Sequence, residues 1–431
     1  MNNLYKNPVE SLWPELIKRP SIDRSALFPL MEKIIEAVQT EGDQALKQFT
    51  EKFDGVEIEQ LQVSQKEIES AEKLTDESLK TAIKIAANNI EKFHLAQSID
   101  HTKIETSPGV FCWNKSTPIE KVGLYIPGGT APLFSTVLML GIPAKIANCS
   151  EIVLCTPPDK TGKIHPAILY AAKQVGIEKI FKVGGAQAIA AMAFGTESVP
   201  RVYKIFGPGN QYVTALKQLV QLNGISIDMP AGPSELLVYA DESADPDFVA
   251  ADLLSQAEHG IDSQVILLVN NENLVEEIAS SIDRQLEELP RKSIAQKALE
   301  NSRSIVFEDN NQAVAFINTY APEHLILASK DCKHTADKIK NAGSVFLGNY
   351  SPESAGDYAS GTNHTLPTNG FAKMYSGVSL SSFMKTITFQ ELTKEGLAGL
   401  SKTIETMAAA EQLSAHENAV KIRREKIEKG N

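Results

Sequence analysis

The chain has few cysteines, and none of them is spaced for chemistry. Its 431 residues include four cysteines, at Cys112, Cys149, Cys155 and Cys332, and no pair has the CxxC spacing of a thiolate zinc site or a redox couple. We therefore expect buried free thiols that pack in the interior and take no part in a reaction.

The sequence also lacks the segments that direct a protein to or across a membrane. Its first residues, MNNLYKNPVESLW, contain neither the apolar core nor the small-residue cleavage site of a secretory signal. The longest apolar stretch, residues 131–144, is too short to span a bilayer and contains Ser, Thr, Gly and Pro. These absences predict a soluble, cytoplasmic protein with no membrane partner.

Positive charge is scarce as well. The formal net charge is −12, and the only basic cluster, Lys421 to Lys429, is interrupted by glutamates. Nucleic-acid binders usually present a basic face, so we expect no nucleic-acid partner and interpret the cluster as a solvated helix.

The order of apolar segments indicates an α/β fold. Residues 23 to about 100 have the three- and four-residue apolar spacing of amphipathic helices, and we expect the histidines of this region, His94 and His101, at the surface. Short apolar runs then alternate with helical segments from Lys121 to Met229 and again from Ser234 to about Gly348, as in parallel, doubly wound sheets. The remainder, from about Met374, is mainly helical in pattern. In the first block, glycines at 128–129, 184–185 and 207–209 follow the strands, where ligands bind in such sheets.

Glycine alone does not establish a cofactor site. No G-x-G-x-x-G follows a first strand, so the usual dinucleotide fingerprint is absent. Gly184 and Gly185 stand at a strand-to-helix turn that suits a phosphate, but such glycines often serve only a positive φ. The pattern leaves both interpretations open.

Two short motifs carry the candidate chemistry. In SQAEHG, at the end of a helix that Asp245 and Pro246 begin, Gln256 and His259 share one face. They fit a metal site, although a histidine interacting with the helix dipole is the simpler interpretation. In APEHL, Glu323 and His324 suit a general-base pair, although neighbours in an extended chain need not touch.

Further acids and imidazoles follow in short polar segments. They are Asp357, His364, Glu411 and His416. An aspartate, two histidines and an amide oxygen would form a plausible zinc set of nitrogen and oxygen ligands. The sequence therefore favours an enzyme with a zinc site beside an acid/base pair.

Longer motifs resemble those of the histidinol dehydrogenase family, in the family's order and over nearly the whole chain. They are GLYIPGGTAPLFSTVLM, VGGAQAIAA, IFGPGNQYVT, DMPAGPSE, DLLSQAEHG, APEHL, SVFLGNYSPESAGDYASGTNHTLPT and MAAAEQLSAHENAV. The resemblance implies the last step of histidine biosynthesis, the oxidation of L-histidinol to L-histidine through L-histidinal with two NAD⁺.

The same resemblance implies specific roles for residues. The zinc ligands, one ion per subunit, would be Gln256, His259, Asp357 and His416, and these would hold substrate together with Ser234, His364 and Glu411. His324 would be the general base, which also contacts substrate, and Glu323 would activate water. NAD would contact Tyr125, Gln187 and Asn210.

For the architecture, the resemblance implies an intertwined homodimer whose sites are shared between chains. We expect a helical N-terminal layer (1–118) packed on the second α/β unit, then an NAD-binding, incomplete Rossmann-like domain (119–233). A related zinc-binding catalytic domain (234–373) and a helical dimerisation tail (374–431) would follow.

Three other functions compete with this interpretation. One is a related NAD-dependent alcohol dehydrogenase for another small hydroxy compound, which the family-type residues Ser234, His364 and Glu411 disfavour. Another is a zinc hydrolase, which the absence of HxH and HExxH makes a poor fit. The last is a zinc-stabilised scaffold without catalysis, against which the Glu323–His324 pair argues.

Overall fold

A computed structural model describes residues 4–20, 26–99, 101–128, 131–230 and 232–430. Two parallel sheets and one antiparallel sheet lie among them. The strands are β1 (Leu4–Lys6), β2 (Ile104–Ser107), β3 (Val110–Pro118), β4 (Lys121–Tyr125), β5 (Glu151–Thr156), β6 (Lys179–Lys182), β7 (Lys204–Phe206), β8 (Ser226–Ile227), β9 (Glu235–Ala240), β10 (Gln264–Val269), β11 (Arg303–Val306), β12 (His324–Ala328), β13 (Ser344–Leu347) and β14 (Met384–Leu392).

Helices connect and cover these strands. They are α1 (Trp13–Leu16), α2 (Phe28–Glu41), α3 (Asp43–Asp54), α4 (Gln65–Leu74), α5 (Glu77–Leu95), α6 (Phe134–Ile146), α7 (Pro166–Val175), α8 (Gly185–Phe194), α9 (Gln211–Gln221), α10 (Pro246–Ala257), α11 (Glu272–Leu286), α12 (Lys292–Glu300), α13 (Asn310–Tyr320), α14 (Cys332–Ala336), α15 (Glu353–Tyr358), α16 (Lys394–Ala410) and α17 (Ser414–Glu428). No helix of the described segments is both long and apolar enough to cross a membrane.

The two parallel sheets have the same strand order. The first runs β6-β5-β4-β7-β8, and the second runs β11-β10-β9-β12-β13 with β1 added beside β11. Numbered within each block, both orders are 3-2-1-4-5. The order reverses direction between β4 and β7 and between β9 and β12, which are the switch points where such sheets open a crevice. The expected α/β class with parallel sheets is confirmed.

The N-terminal helices differ from expectation in where they pack. We expected residues 1–118 to cover the second α/β unit, but α2, α4 and α5 pack on helices of the first. Met31 and Ile34 of α2 join the same buried core as Ile189 and Met192 of α8. Of the N-terminal elements that the structure describes, β1 pairs with β11 of the second sheet, and α1 packs on that sheet through Trp13 and Leu16.

The chain forms two compact units, and the smaller one corrects two further expectations. It contains residues 98–118 and 384–431. Residues 98–118, expected in the N-terminal layer, supply β2 and β3. Of the expected helical tail (374–431), residues 374–383 belong to the larger unit, and the part in the smaller unit begins with the nine-residue strand β14. Its run Thr386-Ile387-Thr388-Phe389 is rich in β-branched and aromatic residues, and Phe389 stacks on Trp113 of β3 with ring centroids 5.5 Å apart.

Burial also corrects one minor expectation. His94, predicted at the surface, is fully buried on α5, where its Nδ1 lies 2.8 Å from the carbonyl of Ile90. His94 lies four residues after Ile90, on a face of α5 that α6 covers, and this explains its burial.

Candidate active site

A cavity of about 840 Å³ opens at the carboxyl edge of the first sheet. The residues predicted to contact NAD, Tyr125, Gln187 and Asn210, all line it. Tyr125 ends β4, Gln187 lies in the first turn of α8, and Asn210 caps α9 by accepting from the backbone N–H groups of Tyr212 and Val213. The switch point of the sheet thus brings together three residues that are far apart in sequence.

The first turn of α8 adds an anion-binding feature to this cavity. Its N-cap, Gly184, makes no side-chain cap hydrogen bond, and Gly185 donates its N–H to the Tyr125 hydroxyl at 3.0 Å. Free N–H groups at the start of a helix attract phosphate. Gly129, which sequence analysis placed at this edge, lies outside the described residues, whereas Gly128 lines the cavity.

A buried ion pair holds the glycine loop after β7. Gly207 has φ +128°, and a Cβ there would lie 2.1 Å from the carbonyl oxygen of Tyr125. The Gly207 carbonyl accepts from Lys217 Nζ at 2.8 Å, and its N–H donates to Asp228 at 2.8 Å. Lys217 and Asp228 pair with each other at 2.5 Å, so the N–H and the carbonyl of Gly207 are both held by one ion pair.

The second cluster lies at the amino edge of the second sheet. Glu323 and His324 stand at the start of β12, and both side chains are buried. The His324 Nδ1 and a Glu323 carboxylate oxygen are 3.7 Å apart, so these neighbours do face each other. The neighbouring strand β9 explains this arrangement. The backbone N–H of Glu235, its first residue, donates to Glu323 at 2.9 Å, and the Glu235 carbonyl lies 3.3 Å from His324 Nδ1.

Two more carboxylates surround the His324 ring. Glu353 lies 3.5 Å from Nδ1, and Asp357 lies 3.5 Å from Nε2. Both belong to α15, where residues four apart share a face. His324 is therefore enclosed by three carboxylates on two elements.

This crowding shifts the protonation equilibria of the cluster. Burial raises the pKa of Glu323 to about 8, although His324 acts in the opposite direction. Burial lowers the pKa of His324, but the carboxylates of Glu353, Glu323 and Asp357 outweigh it and raise that pKa to about 10.

The same place could hold a cation. Donor atoms of His259, Glu353 and Asp357 lie within 4.8 Å of one another. Gln256 is fully buried, and neither its amide oxygen nor its amide nitrogen has a hydrogen-bond partner among the described residues. An unpaired buried amide is costly, and a metal ion would satisfy its oxygen. Nitrogen and oxygen donors of this kind suit zinc.

The helix that carries Gln256 begins as the sequence predicts. Asp245 caps α10 by accepting from the N–H of Asp247, and Pro246 occupies its first turn. The helix ends at Ala257, so Gln256 and His259 emerge together at its end.

The predicted substrate contacts fall in two places. Ser234 directly precedes β9 and is half-buried, and His364 has its Nε2 3.2 Å from the Thr136 hydroxyl of α6. Glu411 and His416 lie in the smaller unit, Glu411 at the end of α16 and His416 in the first turn of α17, and both are exposed there.

Comparison with known proteins decides the family. The profile described as histidinol dehydrogenase matches residues 17–424. The chain is 60% identical over 426 residues to the histidinol dehydrogenase of Bacteroides fragilis strain YCH46, covering 99% of this chain and 100% of that protein. The chain belongs to the histidinol dehydrogenase family.

Other relatives agree with this assignment. The histidinol dehydrogenase of Escherichia coli strain K12 is 53% identical over 412 residues, which cover 95% of this chain and 94% of that protein. The crystal structure of histidinol dehydrogenase from Elizabethkingia anophelis superposes with a TM-score of 0.97 at 56% identity, covering 99% and 98% of the two chains. A histidinol dehydrogenase is an NAD-dependent oxidoreductase of histidine biosynthesis.

Sequence analysis missed two groups that lie around Glu323 and His324. Glu353 is buried with no hydrogen bond to either carboxylate oxygen among the described residues. Its position four residues before Asp357 was the available signal. Arg19 and Glu235 form a buried ion pair at 2.7 Å although 216 residues separate them, and no local pattern predicts such a pair.

Proposed function

We propose that this chain oxidises L-histidinol to L-histidine in one site, through L-histidinal, with two NAD⁺ and one zinc ion per subunit. The observation that carries the proposal is the buried Glu323–His324 pair beside donors that suit a metal ion. The first oxidation transfers a hydride from the alcohol carbon to NAD⁺ and releases the hydroxyl proton. In the second, water adds to the aldehyde, and the resulting diol transfers a hydride to a second NAD⁺ and releases a proton.

In this proposal, Gln256, His259, Asp357 and His416 hold zinc. When bound, zinc would grip the non-reacting end of the substrate, and NAD⁺ would accept the hydride of each oxidation. The unpaired Gln256 amide and the nearby donors of His259 and Asp357 support three of these ligands. Binding energy from a remote group then serves to orient the reacting carbon.

His324 takes the alcohol proton, and Glu323 takes the proton of the attacking water. The contact of His324 Nδ1 with the Glu235 carbonyl favours a proton on Nδ1, which leaves Nε2 as the basic atom. Nε2 has no hydrogen-bond partner among the described residues. A zinc ion held by these carboxylates would lower the pKa of His324, so that His324 would serve as a neutral base.

NAD occupies the cavity of the first sheet in this proposal, in contact with Tyr125, Gln187 and Asn210. Its size and the uncapped first turn of α8 support a dinucleotide. Residues 119–233 would form the NAD-binding domain and residues 234–373 the zinc-binding domain. Their common strand order supports two related, incomplete Rossmann-like folds.

The proposal includes a homodimer in which Glu411 and His416 complete the partner subunit's site. Their exposed positions, and the absence of any buried residue on α17, support a surface that another chain covers. Ser234 and His364 would contact substrate within the larger unit. A cytoplasmic location accords with four free cysteines, which an oxidising compartment would disfavour.

The direct test is NADH formation from L-histidinol by the zinc-loaded protein. We expect turnover with L-histidinol and L-histidinal but little with other small amino alcohols that lack the imidazole. If another hydroxy compound is oxidised with higher kcat/KM, the chain is a related alcohol dehydrogenase with a different substrate.

A further inference from the structure

An ion pair between the half-buried Arg19 and the buried Glu235 lies next to Glu323 and His324. Arg19 donates two hydrogen bonds to the Glu235 carboxylate, each 2.7 Å long, and the Glu235 side chain is only 3% exposed. Arg19 also donates to the Tyr320 carbonyl at 2.7 Å, and its guanidinium lies 3.9 Å from the centroid of the Tyr320 ring. With these partners, the planar guanidinium of Arg19 is held in a single orientation.

The backbone of Glu235 contacts both proposed reacting side chains. Its N–H donates to the Glu323 carboxylate at 2.9 Å, and its carbonyl lies 3.3 Å from His324 Nδ1. Any shift of the first residue of β9 therefore moves the water-activating acid and the base together. The register of β9 with β12, which pairs Leu236 with His324, gives the same alignment.

The Glu235 carboxylate also holds the segment that follows His364. The backbone N–H of Asn369 donates to the carboxylate oxygen that accepts from the Arg19 Nε, and Asn369 has a positive φ of 56°. The ion pair thus joins three segments: the end of α13 before Glu323, the start of β9, and the loop that carries His364.

We infer that Arg19 and Glu235 are positioning residues for Glu323 and His324, acting through the peptide of Glu235 without touching substrate. The inference rests on the proposed roles of Glu323 and His324. A buried ion pair rarely adds stability over apolar residues of similar volume, so stability alone does not explain this one. The geometry of the Arg19–Glu235 pair explains its presence, because the pair fixes the backbone of Glu235, which both proposed reacting groups contact.

The test is Arg19→Ala in the full-length, zinc-loaded enzyme, with guanidinium ion added back. We expect kcat with L-histidinol to fall about tenfold or more, because even a small displacement of an acid/base pair from its reactive geometry slows a reaction on this scale. The KM for L-histidinol should stay within about threefold, because in the proposed function zinc holds the substrate. Zinc content should be unchanged.

Chemical rescue distinguishes positioning from general stability. Millimolar guanidinium should restore most of the lost kcat in Arg19→Ala, whereas ammonium should not, because only guanidinium supplies the planar fork. Arg19→Lys, which keeps the charge and is the alternative if the alanine variant fails to fold, should lose kcat severalfold. The matched control is Ile278→Ala, a fully buried position on α11 distant in sequence from these groups, which should lower Tm and leave kcat intact.

Wild-type kcat in folded Arg19→Ala or Arg19→Lys, or a loss that guanidinium does not rescue, overturns the positioning role. Glu323→Gln and His324→Asn separate this from the larger proposal. If those two variants keep wild-type rates, the roles of Glu323 and His324 fail; if they are impaired while the Arg19 variants are normal, only the positioning inference fails.

Discussion

At the scale of single residues, the relative placement of the Glu323 and His324 side chains depends on the residues around them. Sequence analysis found both, along with Asp357, because acids and imidazoles cluster in short polar motifs. It left open whether Glu323 and His324 touch, since neighbours in an extended strand point apart. In the folded chain, the backbone N–H and carbonyl of Glu235 contact both side chains and bring them together. The sequence alone does not predict these contacts, because Glu235 lies far from both residues along the chain.

Replacing Glu323 with glutamine should impair the second oxidation more than the first. Glutamine keeps the acceptor oxygen for the Glu235 N–H but cannot take a proton from water. Loss of a positioned base typically costs about a hundred- to ten-thousandfold. The measurement compares single-turnover rates from L-histidinol and from L-histidinal. Equal losses in the two chemical steps would remove the support for separate roles.

Replacing His259 with alanine should remove bound zinc without unfolding the chain. His259 is exposed at the end of α10, so the substitution leaves no core cavity. Loss of a direct ligand should weaken zinc binding by more than about a hundredfold, beyond the effect of losing an outer-shell partner. Elemental analysis after dialysis measures it. His334→Ala, an exposed histidine on α14, is the control that should keep its zinc.

At the scale of elements, the sequence predicted the strands of both parallel sheets well. ELLVYA at β9 and EIVLCT at β5 are short apolar runs between turn residues, and the structure places strands there. It could not predict how the helical layer packs, because an amphipathic face does not specify its partner. It missed β14 because Phe389–Leu392 merge into the helical pattern that follows, whereas pairing with β3 decides their conformation.

The loop after β7 should tolerate no side chain at Gly207. Gly207→Ala places a Cβ 2.1 Å from the Tyr125 carbonyl at φ +128°, and we expect a loss of about 3 kcal/mol or more. The KM for NAD⁺ should rise, because the added Cβ would displace Tyr125, a proposed NAD contact that lines the cavity. Gly224→Ala is the matched control, with φ +80° and open space around it, and should cost about 1–2 kcal/mol with normal KM. Equal KM values in both variants would mean that the loop does not shape the cofactor site.

At the scale of the whole molecule, the central expectation is that two chains build each site. A mixture of His259→Ala and His416→Ala chains tests it. In a heterodimer, one site collects both defects and the other keeps all four ligands, so activity should return to at most about half of wild type. Each parent homodimer should remain inactive. If proven heterodimers stay inactive, each site is formed within one chain.

The most direct test of the account is the yield of NADH per L-histidinol when a trap for free aldehydes is present. One site that holds histidinal through both oxidations should give two NADH per histidinol, with no trapped aldehyde. The Glu323→Gln enzyme should stop near one NADH, with the aldehyde still bound. One NADH per histidinol from the wild-type enzyme, together with trapped histidinal, would contradict the account, because the intermediate would then leave the site between the two steps.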